Sequence, residues 1–507
     1  MTNQTLPRKT NRLTKIQYLQ TKYNLTTEEI GYLSPFVDFD SHSRQSHTFL
    51  NNKHFSKLSQ PGANAGTYEA QNFWNTEIDQ GFESAATAQL GSEVEFRKKS
   101  NQNYITQHAP FEPQHAPYGH NKQDIADVLI ENAIGYFAMP MGLVDGIEVN
   151  GKKYCVPICT EESSVIAALN KAALLFKRCR ASIIAWTDSN LKIGQIHIPQ
   201  LKDAYLFEDF FYKNKDRFID LCNANVARSM KARGGGVVDI YFKKHDYLNS
   251  NEREQWGVVE ILFDSVDAMG ANIINQTCDF LKHIMQKECS EVLGIAILSN
   301  FNSKSLTHVK ITVNAIDDGI AQAIHQASRF AQFNTERAVT NNKGIMNAID
   351  GLAISTGNDF RAIEAAMHAY ACVGGAYQGL SYWKREAKGV LIGHASAPIA
   401  CGIVGGATRS HKTASVIIDK ILDISSAQEL AQLMLSVGLM QNFAALHCLV
   451  TQGITKGHIK LHVKNFLAEL AVDCPLRANQ LEREMLLLLD TQGYVTHTDL
   501  KKLQSKI

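Results

Sequence analysis

Four ionisable residues of this chain have types and neighbours that suit proton transfer and charge stabilisation at a carbonyl group: Glu162, Lys343, Asp359 and His458. Lys343 and Asp359 lie in one stretch, Asn341–Asp359, which reads NNKGIMNAIDGLAISTGND. Asp359 directly precedes FRAIEAAMHAYA, a good helix sequence, and helix amides stabilise a capping carboxylate as an anion. A lysine beside a fixed carboxylate stays cationic, and a cation can stabilise a developing alkoxide. Taken alone, the stretch favours a capped helix beside a solvated lysine, and an oxyanion-stabilising site is the alternative that depends on groups elsewhere in the chain.

Three glycines interrupt the same stretch: Gly344, Gly351 and Gly357. Glycine permits turns and the close approach of another backbone segment. The sequence therefore predicts turns around Lys343 rather than one regular element.

Glu162 follows another acid, Glu161, at the start of an apolar helical pattern. If one of these like charges is buried, its pKa rises and it can hold a proton near neutrality. The alternative is an acid that serves the helix dipole. His458 and His462 have a metal-ligand spacing, but HExxH is absent and no third ligand is evident, so no metal is predicted. His458 is then either a general acid on a mobile flap or an ordinary histidine.

The segment DAMGAN, Asp267–Asn272, lies between a predicted strand and a predicted helix. A glycine at such a point lets backbone amides approach a phosphate at the helix N-terminus. The chain contains no GxGxxG, so the ordinary dinucleotide fingerprint is absent and DAMGAN alone is a weak signal.

Composition predicts an ordinary globular protein of two or three domains, because the 507 residues are 45% hydrophobic and 20% charged. A net charge of +1 gives no reason to expect nucleic acid or an acidic membrane as a partner. The ten cysteines are scattered without a CxxC, which predicts neither a disulfide framework nor a zinc cluster. The polar start and the lack of an uninterrupted apolar run of about 20 residues favour the cytoplasm and no membrane.

Hydrophobic periodicity outlines the organisation of the chain. Strands and helices alternate from about Ile183 to Asn300, which predicts an α+β or α/β subdomain inserted into a larger one. A long amphipathic helix is predicted after Ser426, with Ser426 and Glu429 placed as a capping box.

Together these segments resemble 3-hydroxy-3-methylglutaryl-coenzyme A (HMG-CoA) reductase, specifically the soluble bacterial type known as class II. The resemblance covers about residues 124–470, and the matching stretches follow the family order. They are ENAIGYFAMP, VPICTEESSVIAA, GGGVVDI, DAMGANIIN, RAVTNNKGIMNAIDGLAISTGND, AYQGLSYW, VGGATRSH, GLMQNFAAL and GHIKLHVKN.

The resemblance implies an α+β fold: a large, mostly helical substrate-binding domain, an inserted smaller α/β nicotinamide-binding domain and a C-terminal helical flap. The expected segments are an N-terminal helical segment at 1–35, a polar insertion of unknown role at 36–120, the first part of the large substrate- and coenzyme A-binding domain at 121–187, the small NAD(P)-binding domain at 188–300, the second part of the large domain with the catalytic lysine and aspartate at 301–452, and the flap with the catalytic histidine at 453–507. The insertion is not a usual feature of the family.

The chemistry implied by the resemblance is a four-electron reduction of a thioester to an alcohol with two nicotinamide cofactors in succession. Lys343 would polarise the thioester carbonyl, and Asp359 would hold and tune that lysine. Glu162 would donate a proton as the aldehyde intermediate is reduced. His458 would protonate the departing coenzyme A thiolate.

Six positions match residues that surround the substrate or coenzyme A in the family: Asn132, Ser164, Arg337, Asn347, Gln441 and Asn442. Ser164 and Arg337 match groups that bind the carboxylate of the glutaryl moiety, a task suited to a guanidinium fork. The family often has histidine where Asn342 precedes the catalytic lysine, which would change local hydrogen bonding.

The cofactor positions implied by the resemblance come from two segments: Asp267, Met269, Gly270 and Asn272 in DAMGAN, and Arg228, Lys231 and Arg233 before the glycine run. NAD-preferring members carry an aspartate near this run, where Ala227 aligns here. The basic residues would favour a 2′-phosphate, so NADPH is preferred, with NADH and a merely solvated helix end as alternatives.

The resemblance predicts a homodimer, or a larger assembly of dimers, with an active site shared between subunits and with ENAIG and the central lysine contributed across the interface. The expected reaction converts (S)-HMG-CoA to (R)-mevalonate and coenzyme A, through a mevaldyl-CoA hemithioacetal and mevaldehyde, in isoprenoid biosynthesis. One alternative is oxidation of mevalonate with NAD in catabolism. Another is a catalytically silent scaffold that binds coenzyme A and is recruited through the insertion.

Overall fold

A computed structural model describes residues 12–33, 129–248, 253–451, 474–492 and 494–504, together with positions 126, 453, 463 and 467. Met1–Ser34 and Tyr136–Ile507 belong to one unit, and Pro35–Gly135 belongs to a second. The insertion predicted at 36–120 lies outside the described residues.

The described strands are β1 (Met141–Val149), β2 (Lys152–Cys159), β3 (Ser182–Thr187), β4 (Leu191–Ile198), β5 (Gly236–Leu248), β6 (Arg253–Asp264), β7 (Ala296–Ser299), β8 (Leu306–Val313), β9 (Ser381–Ala387) and β10 (Val390–Pro398). The described helices are α1 (Arg12–Tyr23), α2 (Thr27–Leu33), α3 (Ser163–Arg178), α4 (Ala204–Asn225), α5 (Arg228–Lys231), α6 (Ala271–Glu288), α7 (Asp318–Phe333), α8 (Thr335–Ser355), α9 (Phe360–Ala371), α10 (Gly406–Ser410), α11 (Lys412–Val416), α12 (Ala427–Thr451), α13 (Pro475–Gln492) and α14 (His497–Gln504). A π-helical turn, Ile417–Leu422, follows α11.

These strands form a β1-β2 hairpin and two four-stranded sheets, with strand orders β3-β8-β10-β9 and β5-β6-β4-β7. Every pairing within the sheets is antiparallel. The mixed helix-and-sheet class is as predicted, but the α/β label for the smaller region is wrong because its sheet contains no parallel pair among the described strands. The short link from β5 to β6 permits only an antiparallel hairpin, since a parallel pair needs a crossover of a dozen or more residues.

The sheet β5-β6-β4-β7 packs against α4 and α6 around a core of its own, to which Phe211, Phe218 and Phe263 contribute fully buried rings. Gly194 on β4 permits this packing, because a Cβ there would lie 2.4 Å from the sulfur of Cys278 on α6. The order of strands and helices between Ile183 and Asn300 confirms the predicted strand–helix alternation.

The helix α12 is buried along most of its length, from Ala427 to Leu446. The amphipathic pattern predicted for it is wrong, because polar residues such as Ser436, Gln441 and Asn442 are buried as well. Its 25 residues are long and apolar enough to cross a membrane, yet 67% of the stretch is buried inside the protein. That degree of burial is typical of a core helix, so its length and composition are weak evidence for a membrane span.

The predicted turns around Lys343 are also wrong, because Thr335–Ser355 forms one continuous helix. Asn334 caps it by accepting a hydrogen bond from the backbone N–H of Arg337. Gly351 lies inside this helix. Glycine is needed there because a Cβ would come within 2.7 Å of the carbonyl oxygen of Cys159. The expected close approach is therefore present, and only Gly357, with φ of 67°, makes the expected turn.

The N-terminal end of α12 is anchored by Glu429. Its Oε1 accepts from Lys152 Nζ at 2.7 Å and from Tyr154 OH at 2.8 Å. Its Oε2 accepts from the backbone N–H and the hydroxyl of Ser425. The predicted capping box is half correct: Ser426 Oγ accepts from the Glu429 N–H, but the Glu429 side chain bonds Ser425 instead of Ser426.

The Glu429→Gln variant should be less stable than wild type near neutral pH and similar to it in acid. Burial alone would raise the pKa of Glu429, but its hydrogen bonds with Lys152, Ser425 and Tyr154 lower that pKa to about 2. Because an unfolded glutamate titrates near 4.3, the carboxylate stabilises the fold above about pH 4.5, and this contribution is lost as the pH falls towards 2. Losing a charged hydrogen-bond acceptor should cost about 1–3 kcal/mol at pH 7.

Urea unfolding midpoints at pH 7, 4 and 3 measure this effect. Glu386→Gln is the matched control, because Glu386 is an exposed acid paired with Lys384 on β9. A difference between Glu429→Gln and wild type that is equally large at pH 7 and pH 3 would show that the charge of Glu429 contributes nothing.

Candidate active site

A cavity of about 310 Å³ lies between α3, α8 and α12. Seven of the residues singled out from the sequence line it: Glu162, Ser164, Arg337, Lys343, Asn347, Gln441 and Asn442. They come from parts of the chain up to 280 positions apart, so the fold brings five of the six predicted substrate positions together.

The central contact of the cavity is an ion pair between Lys343 Nζ and Glu162 Oε2, 2.9 Å apart. Ser164 donates its hydroxyl to Glu162 Oε1 at 2.7 Å, and Asn347 Nδ2 is 3.4 Å from Oε2. Glu162 is the N-cap residue of α3, but its side chain makes no capping hydrogen bond; its carboxylate instead connects the Ser164 hydroxyl on α3 to Lys343 and Asn347 on α8. The Lys343 side chain is 64% exposed, which leaves its ammonium group accessible from the cavity.

Arg337 supplies a second positive charge, two turns before Lys343 on α8. Its guanidinium is half-buried, and burial lowers its pKa. No described carboxylate forms an ion pair with it. A partly desolvated guanidinium without a protein anion is suited to bind a ligand carboxylate.

The adjacent residues Gln441 and Asn442 differ in their bonding. Gln441 is 5% exposed, and its Oε1 has no hydrogen-bond partner among the described residues. The amide of Asn442 is fully engaged, because Oδ1 accepts from Ser381 Oγ and Trp383 Nε1, and Nδ2 donates to Asn341. Gln441 can therefore offer an acceptor to a ligand, whereas Asn442 joins α12 to α8 and β9.

Asn342 fixes the chain beside the lysine. Its Nδ2 donates to the carbonyl of Gln378 at 2.9 Å, and its Oδ1 accepts from the N–H of Leu380 at 2.8 Å. The side chain is fully buried. A neutral imidazole also offers one donor and one acceptor. The histidine expected from the resemblance could therefore make the same two kinds of hydrogen bond as Asn342.

Asp359 caps α9 as predicted, by accepting from the backbone N–H groups of Arg361 and Ala362 at 3.1 Å each. It does not contact Lys343 within the chain, contrary to the expected lysine–carboxylate pair. The reason is the continuity of α8, in which Ser355 lies twelve positions after Lys343 and therefore about 18 Å further along the helix axis. Glu162 takes the place beside the lysine instead.

The DAMGAN segment leads into α6 at Gly270, which has φ of 91°. A Cβ at Gly270 would also lie 2.7 Å from Ser265 Cβ, so glycine is required twice over. Asp267 Oδ1 accepts from the N–H of Ala427 at 2.9 Å, and its carbonyl accepts from the N–H of Ile403. The predicted turn before a helix is confirmed, and the Asp267 side chain is engaged at the start of α12. Met269 and Asn272 flank the turn.

The basic residues near the glycine run are exposed: Arg228, Lys231 and Arg233. Arg233 Nε donates to the carbonyl of Ser229, which holds its guanidinium near α5. Ala227 is fully buried, so the position aligned with the aspartate of NAD-preferring relatives does not face a ligand here.

Two predicted residues cannot be placed relative to the cavity. His458 lies outside the described residues, as does His462. Asn132 is exposed with φ of 54° and belongs to the second unit.

Sequence reasoning did not name four polar residues of the cavity as site residues: Lys171, Thr340, Asn341 and His447. Helical spacing could have found two of them, because Lys171 lies seven residues after Ser164 and Thr340 lies three after Arg337, on the same helix faces. Burial, and then the charge of Lys171, lower the pKa of His447.

Comparisons with a family model, with related sequences and with solved structures all indicate the same protein family. The model of the family described as hydroxymethylglutaryl-coenzyme A reductase matches residues 97–463. The 3-hydroxy-3-methylglutaryl-coenzyme A reductase of Archaeoglobus fulgidus is 37% identical over 346 residues, which cover 68% of this chain and 77% of that protein. A probable enzyme of the same name from Borreliella burgdorferi is 35% identical and covers 73% of this chain and 84% of its own length.

A solved structure of the class II enzyme from Streptococcus pneumoniae, bound to NADPH in open conformations, has a TM-score of 0.61 and 36% identity, and covers 64% of this chain and 89% of its own. Its likeness extends the sequence match to the fold. The chain therefore belongs to the hydroxymethylglutaryl-coenzyme A reductase family of oxidoreductases.

Proposed function

We propose that this protein reduces HMG-CoA to mevalonate and coenzyme A with NADPH. The observation that carries the proposal is the Lys343–Glu162 ion pair, which lines the same cavity as the half-buried guanidinium of Arg337, a group without an ion-pair partner among the described residues. This arrangement offers a cation for a carbonyl oxygen, an acid group beside it and an anion site for the glutaryl carboxylate.

In this mechanism Arg337 and Ser164 bind the free carboxylate of the substrate and fix the direction of the thioester. Lys343 donates a hydrogen bond to the thioester oxygen and stabilises the negative charge that develops on it. NADPH, when bound, supplies the hydride in each of the two reductive steps. Glu162 first takes up a proton from solvent, since the ion pair holds it as a carboxylate, and then gives that proton to the aldehyde oxygen. Contact with Lys343 keeps this carboxyl group next to that oxygen. His458 protonates the coenzyme A thiolate.

The residues at 188–300 fit a nicotinamide dinucleotide. Gly270 precedes the N-terminus of α6, and its lack of a side chain would let a phosphate approach the backbone amides there. Three exposed cations lie near the glycine run. The streptococcal relative has NADPH as its bound cofactor. NADPH also favours the biosynthetic direction over oxidation of mevalonate with NAD. We also propose that the protein is cytoplasmic. In the proposed domain organisation, residues 121–187 and 301–452 form the large domain and residues 453–507 form the flap.

A homodimer would complete this active site. Asp359 cannot reach Lys343 of its own chain, and a second subunit can bring another copy of Asp359 to the lysine. Phe137 is 94% exposed and Tyr136 is 63% exposed in the segment that follows Asn132, which leaves apolar surface for a partner to cover.

The Lys343→Ala variant should lose at least about 10²–10³-fold in kcat, because a charged donor to the oxyanion is removed. Turnover is measured as the fall in NADPH absorbance in the presence of HMG-CoA. Lys384→Ala is the control, because Lys384 lies on β9 and pairs with Glu386. A folded wild-type protein without HMG-CoA-dependent oxidation of NADPH would refute the proposed function and favour the scaffold.

Replacing Arg228, Lys231 and Arg233 together by alanine should raise KM for NADPH about tenfold while changing KM for NADH little, because only NADPH carries the 2′-phosphate. Lys213→Ala, an exposed change on α4, is the control for a general loss of positive charge. Wild-type enzyme that prefers NADH would overturn the cofactor assignment and favour the oxidative direction.

Mixing the inactive variants Lys343→Ala and Asp359→Ala should restore activity if the two residues act across subunits. Random exchange makes half of the dimers mixed, and each mixed dimer has one intact site, so about 25% of wild-type turnover is expected. Co-expression with two affinity tags isolates the mixed dimers. Mixed dimers as inactive as either parent would refute a shared site.

A further inference from the structure

Lys192 on β4 is a buried basic residue that the proposed mechanism does not use. It is 4% exposed and lies opposite Phe263 of β6, whose ring belongs to the core of this sheet. No described carboxylate forms an ion pair with it. Its ammonium group instead donates to the backbone carbonyl of Asn190 at 3.2 Å and to the side-chain oxygen of the same residue. Because a buried ammonium group needs such acceptors, the lysine fixes the position of Asn190.

Asn190 connects the lysine to a strained residue in the turn after β6. With its side-chain oxygen bonded to Lys192, its Nδ2 donates to the backbone carbonyl of Val266. Val266 has φ of 52°, a left-handed conformation in which a β-branched residue is strained. Its N–H donates to Asp264 Oδ1 at 2.8 Å. Hydrogen bonds on both sides of Val266 therefore stabilise a conformation that valine does not favour.

Val266 lies where the two segments of the proposed cofactor site meet. It directly precedes DAMGAN, Asp267–Asn272, and it also contacts the glycine run, Gly234–Gly236. A Cβ at Gly235 would lie 2.7 Å from Cγ2 of Val266 and 2.5 Å from the carbonyl oxygen of Asp264. Glycine at this position lets the run pack directly on the turn. A change in the backbone of Val266 would therefore move one cofactor segment relative to the other.

The turn that follows Val266 is compact, so its conformation also sets the start of α6. Ser265 Oγ donates to the carbonyl of Ala268 at 2.6 Å, and the Ala268 N–H donates to the carbonyl of Ser265 at 3.0 Å. Gly270, the N-cap residue of α6, packs on Ser265 without room for a Cβ. The backbone amides proposed to approach a phosphate are thus placed by the residues on either side of Val266.

We propose that Lys192, acting through Asn190, keeps Val266 in its left-handed conformation and so sets the distance between the two phosphate-binding segments of the NADPH site. Lys192 is a positioning residue, since it is buried and acts through Asn190 rather than on the cofactor. The effect on NADPH rests on the proposed reductase function, whereas the hydrogen-bonded chain from Lys192 to Val266 does not.

The Lys192→Met variant keeps the length of the side chain and removes its donors. Its Kd for NADPH, measured by titration calorimetry, should rise about tenfold, because Val266 loses the hydrogen bonds that offset its strain. The KM for HMG-CoA should not change, since the substrate cavity lies between other elements. Asn190→Ala should weaken NADPH binding equally, and the double variant should lose no more than either single one. Lys243→Met is the control, because Lys243 is an exposed lysine of the same sheet that pairs with Glu260.

A second substitution separates positioning from a general loss of packing. Adding Val266→Gly to Lys192→Met should recover most of the lost affinity for NADPH, because glycine adopts the left-handed conformation without help from hydrogen bonds. Folded Lys192→Met and Asn190→Ala proteins that bind NADPH as tightly as wild type would overturn the proposal. So would a Lys192→Met/Val266→Gly protein that binds no better than Lys192→Met.

A wild-type protein that does not bind NADPH would instead refute the proposed function. The chain from Lys192 to Val266 is then tested by urea unfolding of the two single variants and the double variant. Losses of stability that are not additive would support the chain, and additive losses would overturn it.

Discussion

The burial of α12 is the constraint on which the rest of this structure depends. A helix with buried residues from Ala427 to Leu446 needs packing partners on every side, and α3, α8 and the sheet β3-β8-β10-β9 provide them. Its start is held by Glu429 and by Asp267 of the DAMGAN turn, and its second half forms one wall of the cavity. The position of the cavity therefore follows from how this helix is covered.

Close packing on α12 also sets the position of α8, the helix that carries Lys343. A Cβ at Gly438 would lie 2.8 Å from Ile349, so glycine lets the two helices approach. On the other side Gly351 places α8 against the backbone of β2. A buried hydrogen-bond network that includes Asn341, Asn442 and Trp383 then fixes its rotation. Lys343 is directed into the cavity because both the depth and the rotation of α8 are determined in this way.

Much of this was accessible from sequence, and the failures have physical causes. Local signals such as the Asp359 cap, the turn at Gly270 and the strand–helix alternation from Ile183 to Asn300 can be read over short segments, and each is present. The three glycines around Lys343 indicated turns because their effect on tertiary packing cannot be read from local propensity. The amphipathic prediction for α12 failed for a related reason: its polar residues are satisfied by distant partners such as Ser381. The seven predicted residues that line the cavity were identified through the family resemblance, because spacing in the sequence alone does not relate Ser164 to Gln441.

The charges around Lys343 show why a local pairing rule was insufficient. Asp359 is sixteen positions from the lysine, and a loop between them would have allowed contact, whereas a continuous helix separates them. Glu162, 181 positions away in sequence, contacts the lysine because α3 and α8 both pack on α12. Among the described residues the lysine thus pairs with an acid that is remote in sequence, and the uncharged Asn347 lies one turn further along α8. Because each added negative charge would weaken the attraction of the ammonium group for an anionic oxygen, the separation of Asp359 from Lys343 leaves Glu162 as the described carboxylate in contact with the lysine.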